Sequence, residues 1–237
     1  MAGKNLEMQT NLSYHYVFVG FATIKDVLKD INQRLPFYKF SLIGKSNLKE
    51  IFYDVENNTL SDGGIVLSKS ISKTDTYLNI RRLSRINPRR NRKYKIDRCE
   101  EKDHPKDFAV QVAAAIEDSF SSPLSIDLES IVKKTKPKIS LDIDKQTYDV
   151  VCGTGYRAKF VYENVLYKDI ASGKKVEQAG ITLYVPMEEC KETEEILTAI
   201  ERGVTGLSLY NESRFEIAQK LLYTEPQELD LGEEEEE

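Results

Sequence analysis

The spacing of apolar residues along the chain changes period several times. Residues 14–20, YHYVFVG, are rich in aromatic and β-branched side chains and read as a strand. Over residues 22–35, Ile24, Val27, Leu28, Ile31 and Leu35 recur at helical spacing, and Pro36 stops that helix. Residues 37–43 and 49–55 read as two strands, followed by a turn-rich stretch, ENNTLSDGG. Residues 65–72 and 76–83 form a predicted hairpin around a turn at 73–75. A loop at 85–92 carries Asn87-Pro88, and 93–99 reads as the returning strand. Asp103 and Pro105 precede a predicted helix at 106–120. Residues 121–138 hold Pro123, Pro137 and a short helical patch at 128–133. Further strands follow at 139–144, 148–152, 156–162, 165–170 and 181–185, with Gly173 marking a turn before the last. Helices close the pattern at 192–202 and 212–223.

About ten short strands, mostly in antiparallel succession, must curl, split or close, and closure removes exposed edges. The expected fold class is α+β: a closed or nearly closed antiparallel β-barrel with flanking helices. The expected organisation is a flexible N-terminus at 1–12, one domain at 13–224 and a disordered acidic tail at 225–237. No apolar run approaches the roughly 20 residues of a membrane helix. The first ten residues lack the apolar core of a secretory signal, so a cytosolic or nuclear protein is expected. Cys99, Cys152 and Cys190 are far apart in sequence, without disulfide-framework or metal-ligand spacing. With only His15 and His104, a histidine triad or zinc site is not indicated.

Charge changes the picture more than composition does. The net charge is −5, yet residues 81–98, RRLSRINPRRNRKYKIDR, carry +8 and leave −13 on the rest. Residues 233–237 are all glutamate. A basic run of this density is either a solvated hairpin or a surface matched by an anion, because like charges repel unless screened or neutralised. Arg85, Arg89, Arg90, Arg92, Lys93 and Lys95 are its candidate contacts with a polyanion or an acidic protein face.

Residues 51–71, IFYDVENNTLSDGGIVLSKSI, resemble the CYTH, or triphosphate-tunnel, superfamily. Phe52, Tyr53, Asp54, Leu60, Gly64 and Leu67 match its spacing. The strand at 77–82 is similar to the one that ends in a phosphate-binding lysine. YRAK at 156–159 is similar to a later strand with inward basic residues. Residues 165–185 follow the pattern of strand, aspartate, glycine turn and strand. Ser213-Arg214-Phe215 resembles the family's Ser-Lys-Tyr. The resemblance spans roughly residues 14–223. It implies an eight-stranded antiparallel tunnel in which basic side chains grip a triphosphate and glutamates hold a divalent metal. The activities implied are hydrolysis of triphosphate, thiamine triphosphate or RNA 5′-triphosphate, and adenylate cyclisation.

The acidic half of that pattern is missing. The first strand, Tyr14 to Val19, contains no acid where the family carries Glu-x-Glu-x-Lys. Thr182 and Tyr184 stand where the late Glu-x-Glu belongs, and residues 93–97 keep only Asp97. Hard divalent cations want several carboxylate oxygens, so metal assistance of phosphoryl attack lacks its ligands here. The candidate anion-binding residues are Lys69, Arg81, Arg82, Arg157, Lys159 and Arg214. Arg157 and Lys159 are two apart and share a strand face. Asp142 and Asp144 also share a face, either as a relocated metal pair or as the solvent side of an alternating strand. Tyr14, Tyr16 and Phe18 either stack bases or pack in the core.

The expected function is a divergent, catalytically degenerate domain that holds a triphosphate, nucleoside triphosphate, polyphosphate or RNA through basic side chains. Two alternatives stand beside it. One is an active phosphohydrolase using Mg²⁺ or Mn²⁺ with relocated carboxylates. The other is a non-enzymatic RNA- or protein-binding scaffold using the 81–98 hairpin.

Overall fold

A computed structural model describes residues 11–20, 22–82, 91–96, 130, 133–186, 190–209 and 212–224. The strands are β1 (Asn11–Phe18), β2 (Tyr38–Asp54), β3 (Ile65–Ile71), β4 (Thr76–Arg82), β5 (Asn91–Ile96), β6 (Lys136–Cys152), β7 (Arg157–Asp169), β8 (Lys175–Pro186) and β9 (Leu207–Leu209). Among the described residues the helices are α1 (Ile24–Arg34), α2 (Thr59–Asp62), α3 (Lys191–Gly203) and α4 (Arg214–Tyr223). All nine strands join one antiparallel sheet in the order β5-β4-β3-β2-β6-β7-β8-β1-β9. Among the described residues β5 and β9 do not hydrogen-bond to each other. The expectation of a closed barrel is corrected to that extent: the α+β antiparallel sheet is present, but hydrogen bonds do not close it.

Three pairs of segments that read as separate strands are single long strands. Residues 37–43 and 49–55 merge into β2, 139–144 and 148–152 into β6, and 156–162 and 165–170 into β7. The polar middles GKSN and DKQT lie opposite each other, with Gly44↔Thr147, Lys45↔Gln146 and Ser46↔Lys145 in register. Cross-strand backbone hydrogen bonds hold those middles extended where no apolar alternation marks them. A register shift between Leu42 and Gly44 absorbs the extra residue as a bulge.

Two faces of the sheet are covered differently. α1 begins where the Thr23 side chain accepts from the Asp26 N–H and ends before Pro36. Its Val27 and Ile31, with Ile196, Ala199 and Ile200 of α3, bury one face against Tyr16, Phe18, Val150, Phe160, Ile181 and Leu183. Tyr16 and Phe18 are thus core residues, with Tyr14 packed beside them, and not a base-stacking surface. α4 packs on the opposite face, over Phe52, Ile139, Leu141, Ile143, Val165 and Tyr167.

β1 starts at Asn11, inside the span read as an N-terminal arm. Residues 1–10, the 85–90 part of the basic loop, the predicted helix at 106–120, most of the 128–133 patch and the acidic tail lie outside the described residues, as do Asp97, Cys99 and His104. No described helix is long and apolar enough to cross a membrane.

Candidate functional site

The opening of α4 brings charge onto its side of the sheet. Ser213 caps the helix: its hydroxyl accepts from the Glu216 N–H at 3.3 Å, and the Glu216 carboxylate accepts from the Ser213 N–H at 2.7 Å. Phe215 turns into the core against Phe52, with ring centroids 5.3 Å apart. At the far end, the Tyr223 hydroxyl donates to Asp169 at 3.0 Å and Lys174 Nζ donates to the Leu222 carbonyl at 2.7 Å. Between these anchors Arg214 lies over Glu163 of β7 and Glu50 of β2.

There its guanidinium donates to Glu163 Oε2 at 2.5 Å and lies 3.9 Å from Glu50 Oε2. Lys145 Nζ sits 2.8 Å from the other Glu163 oxygen. Glu50 also accepts from the Ser68 hydroxyl at 2.7 Å, and Asn79 donates to Ser70 at 2.6 Å and to Ser68 at 3.3 Å. Burial opposes ionisation of Glu163, but the Arg214 and Lys145 charges outweigh it and hold the carboxyl below its usual range. Burial likewise opposes the Arg214 charge, and Glu163 and Glu50 overcome it. Two cations and two carboxylates are therefore matched at the centre of this face.

Beyond Arg214 the same face opens. Cross-strand register sets His15 opposite Thr182, Thr182 opposite Val161, Tyr184 opposite Lys159, Lys159 opposite Asp149, and Arg157 opposite Val151. Arg157 and Lys159 are both exposed, and Tyr184 is 38% exposed. His15 Nδ1 and Thr182 Oγ1 are 3.0 Å apart, joining β1 to β8. Burial first, and Arg214 second, hold the His15 imidazole below its usual pKa, against a smaller opposing pull from Glu163.

The predicted site residues divide between faces. Arg157, Lys159 and Arg214 share the α4 face, and register places Arg81, Lys93 and Lys95 at positions of that face too. Lys69 is opposite Ile51 and Leu78, and Arg82 opposite Ile65, so both occupy positions of the other face. Arg92 pairs with Ile80, also on the other face, while Arg85, Arg89 and Arg90 lie outside the described residues. Asp142 and Asp144 are exposed on the face away from α4, opposite Lys49 and Asn47, and Asp144 accepts from the Asn47 amide at 2.7 Å.

Sequence reading missed Glu50, Glu163 and Lys145. Each is a lone charge in a strand, and only the pairing that gathers them around Arg214 gives them a role. Asp54, which carried part of the resemblance, is buried and accepts from the Val55, Leu60 and Ser61 N–H groups at 2.8, 2.9 and 3.0 Å. Asp169 does the same work in the turn to β8, accepting from Ser172 and Tyr223. These two aspartates shape turns.

Among the described residues the carboxylates do not assemble a donor set for a divalent metal. Glu50 and Glu163 are engaged by Arg214, Lys145 and Ser68, and Asp142 and Asp144 are on the other face. No three His, Cys, Asp or Glu residues among those described converge as metal ligands.

Among solved structures the chain resembles the Hippeastrum protein HpAC1, assigned as an adenylyl cyclase and described as having a dominant triphosphatase activity. The two align at a TM-score of 0.56 and 10% identity, over 89% of this chain and 95% of that one. An assigned adenylate cyclase from Bacillus halodurans aligns at 0.44 and 10% identity, over 87% and 96% of the two chains. The PH1819 protein of Pyrococcus horikoshii aligns at 0.42 and 11%, over 89% and 99%. Of these three, the first alone has a TM-score above 0.5, and at 10% identity the likeness is one of fold. No protein-family model and no curated protein matches the sequence.

Proposed function

From its CYTH-like fold and the charges on its α4 face, we propose that this chain binds a polyanion of the triphosphate class, a free triphosphate, a nucleoside triphosphate or polyphosphate, without turning it over. The ligand position in this reading is the open half of the α4 face. Arg157 and Lys159 grip phosphate oxygens there, with Lys39 opposite Val151 at the rim. One observation carries the reading: the exposed cations share a face on which Glu163 and Glu50 are already neutralised by Arg214 and Lys145. A guanidinium and an ammonium thus occupy the carboxylates that a metal would need, which favours anion binding independent of metal. The triphosphatase activity described for the Hippeastrum protein supports the ligand class and is not carried over as an activity.

The test is a thermal-melt titration with tripolyphosphate, with and without Mn²⁺, with phosphate release followed in the same samples. Ligand at a hundredfold over Kd should stabilise the fold by about 2.7 kcal/mol. That stabilisation should be equal with and without metal, absent from Arg157→Ala/Lys159→Ala, and unaccompanied by phosphate release. Metal-dependent stabilisation with turnover would replace this reading with a phosphohydrolase. No shift at all would move the function to the basic β4–β5 ribbon at the sheet edge, as an RNA- or protein-binding scaffold.

A further inference from the structure

β1 and β8 part company at Gly180. They pair from Asn11↔Pro186 to Val17↔Gly180, and a Cβ at Gly180 would come within 2.9 Å of the Tyr16 carbonyl. Beyond that point β1 has no described pairing with β8, while on its other edge the Val19 N–H donates to the Gly206 carbonyl at 2.7 Å. β8, however, begins at Lys175 and pairs with β7 from Lys168↔Lys175 onward. Residues 175–179 therefore have a partner on one edge and no described strand on the other. A cavity of about 480 Å³ occupies the wedge, lined by Phe18, Val19, Glu177, Gln178, Ala179 and Leu221 among others. Gln178 Oε1 is buried there without a hydrogen-bond partner, one of two such oxygens among the described residues, the other being Asn79 Oδ1 in the serine network.

We propose that this wedge receives an extended peptide segment of a partner protein, which adds as a strand to the open edge of β8. A strand edge offers its free N–H and C=O groups as a template on which another extended backbone can pair. The side chains specify the rest. On the α4 side, Gln178 wants a donor beside the apolar Leu221, which suits a threonine or serine. On the other side the Glu177 carboxylate, held by Asn164 at 2.5 Å, suits a lysine or arginine. A second copy of this chain does not fit, because antiparallel self-pairing centred on Glu177 sets two carboxylates directly opposite. The edge of β2 over residues 38–48, also without a described partner strand, is a poorer acceptor, since its bulge at Gly44 and its Lys39 and Lys45 are features that blunt edges.

This site is separate from the anion-binding half-face, so either can fail alone. The probe is a short capped peptide, valine-threonine-lysine-threonine-valine, and a twin with N-methyl groups on alternate amides, each titrated into the ¹⁵N-labelled full chain. The peptide should give saturable shifts at residues 175–179 and Val19 and slow the exchange of those edge amides several-fold, while tripolyphosphate does not compete. The methylated twin should give neither effect. Gln178→Ala should weaken the peptide several-fold, and replacing the peptide threonines by alanine should cost nothing further in that variant. Absence of saturable shifts at millimolar peptide, or equal binding of the methylated twin, would overturn the proposal even if the Gln178 variant fails to fold.

Discussion

The two faces of the sheet meet the same problem with opposite chemistry. Under α1 and α3 the packed part of the face is apolar, with phenol hydroxyls at its margins. Tyr16 donates to Glu201 at 3.0 Å, Tyr38 to Glu195 at 2.7 Å, and Tyr162 to the Ala22 carbonyl at 2.7 Å. Under α4 the apolar part ends at Phe215, and the helix opening delivers a guanidinium to two glutamates. Burying area stabilises the first face without direction. The second depends on each charge having its partner, because an unmatched buried charge costs more than a matched pair gains. Stability should therefore reside mainly on the α1/α3 face, and ligand response on the α4 face.

The sharpest way to break that division is Phe160→Ala. Phe160 is fully buried beneath α1 and α3, edge-on to Phe40 at 5.7 Å and to Tyr148 at 6.1 Å. Its truncation should cost about 3–5 kcal/mol in urea unfolding. The additional stabilisation by tripolyphosphate should be unchanged within error. A large loss of ligand response in that variant, while it remains folded, would mean the two faces are coupled.

Glu163→Gln should act in the opposite sense on the two readouts. It leaves Arg214 and Lys145 without their shared carboxylate. The expected cost is about 2 kcal/mol, below the roughly 3–5 of a fully buried pair because the guanidinium keeps solvent contact. Removing negative charge from the anion face should also raise tripolyphosphate affinity several-fold. The pH sign follows from the lowered carboxyl pKa of Glu163. The folded state holds the ionised form more strongly than the unfolded chain does. Its contribution is present above the ordinary value of 4.5 and is lost as pH falls from there through the lower folded value. The variant should therefore lose stability less steeply than the parent over that acid range. A Glu163→Gln/Arg214→Met chain that loses less than the sum of its two single changes would show that the pair is the interacting unit.

The α1/α3 face was legible in sequence because its determinants are local. Helical spacing gave α1 and α3, and the glycine at 173, with φ +74°, marked its turn. The resemblance drawn from Asp54, Leu60 and Gly64 was also legible, since these residues close one turn within a few positions of each other. The charge network was not. Glu50, Lys145, Glu163 and Arg214 are scattered over most of the chain, and each reads alone as an ordinary strand or helix charge. Lys69 and Arg82 were grouped with Arg157 and Lys159 through the family resemblance, yet a strand reverses face at every residue, and only the register separates them. The merging of six short strands into three long ones was hidden for a related reason. Polar residues that satisfy one another across β2 and β6 carry no apolar alternation.

The smallest effect tests whether the anion lies where the α4-face reading puts it. His15 faces Thr182 across the β1–β8 pair, Arg214 and Glu163 act on it from α4 and β7, and Lys159 and Tyr184 lie at the next positions outward. Burial and Arg214 hold the ring neutral below its usual 6.5, so without ligand the unfolded chain takes up the proton first and stability falls as pH drops below that value. A phosphate group on Lys159 and Arg157 would add negative charge beside the ring and raise its pKa. Binding would then draw in a proton, and affinity would rise as pH falls, by at most about tenfold per pH unit. Tripolyphosphate itself gains protons over this range, so the informative quantity is the parent slope minus that of His15→Gln. A steeper slope in the parent locates the anion beside β1 and β8. Equal slopes with retained affinity would place it away from His15, toward the β4 and β5 positions of the same face.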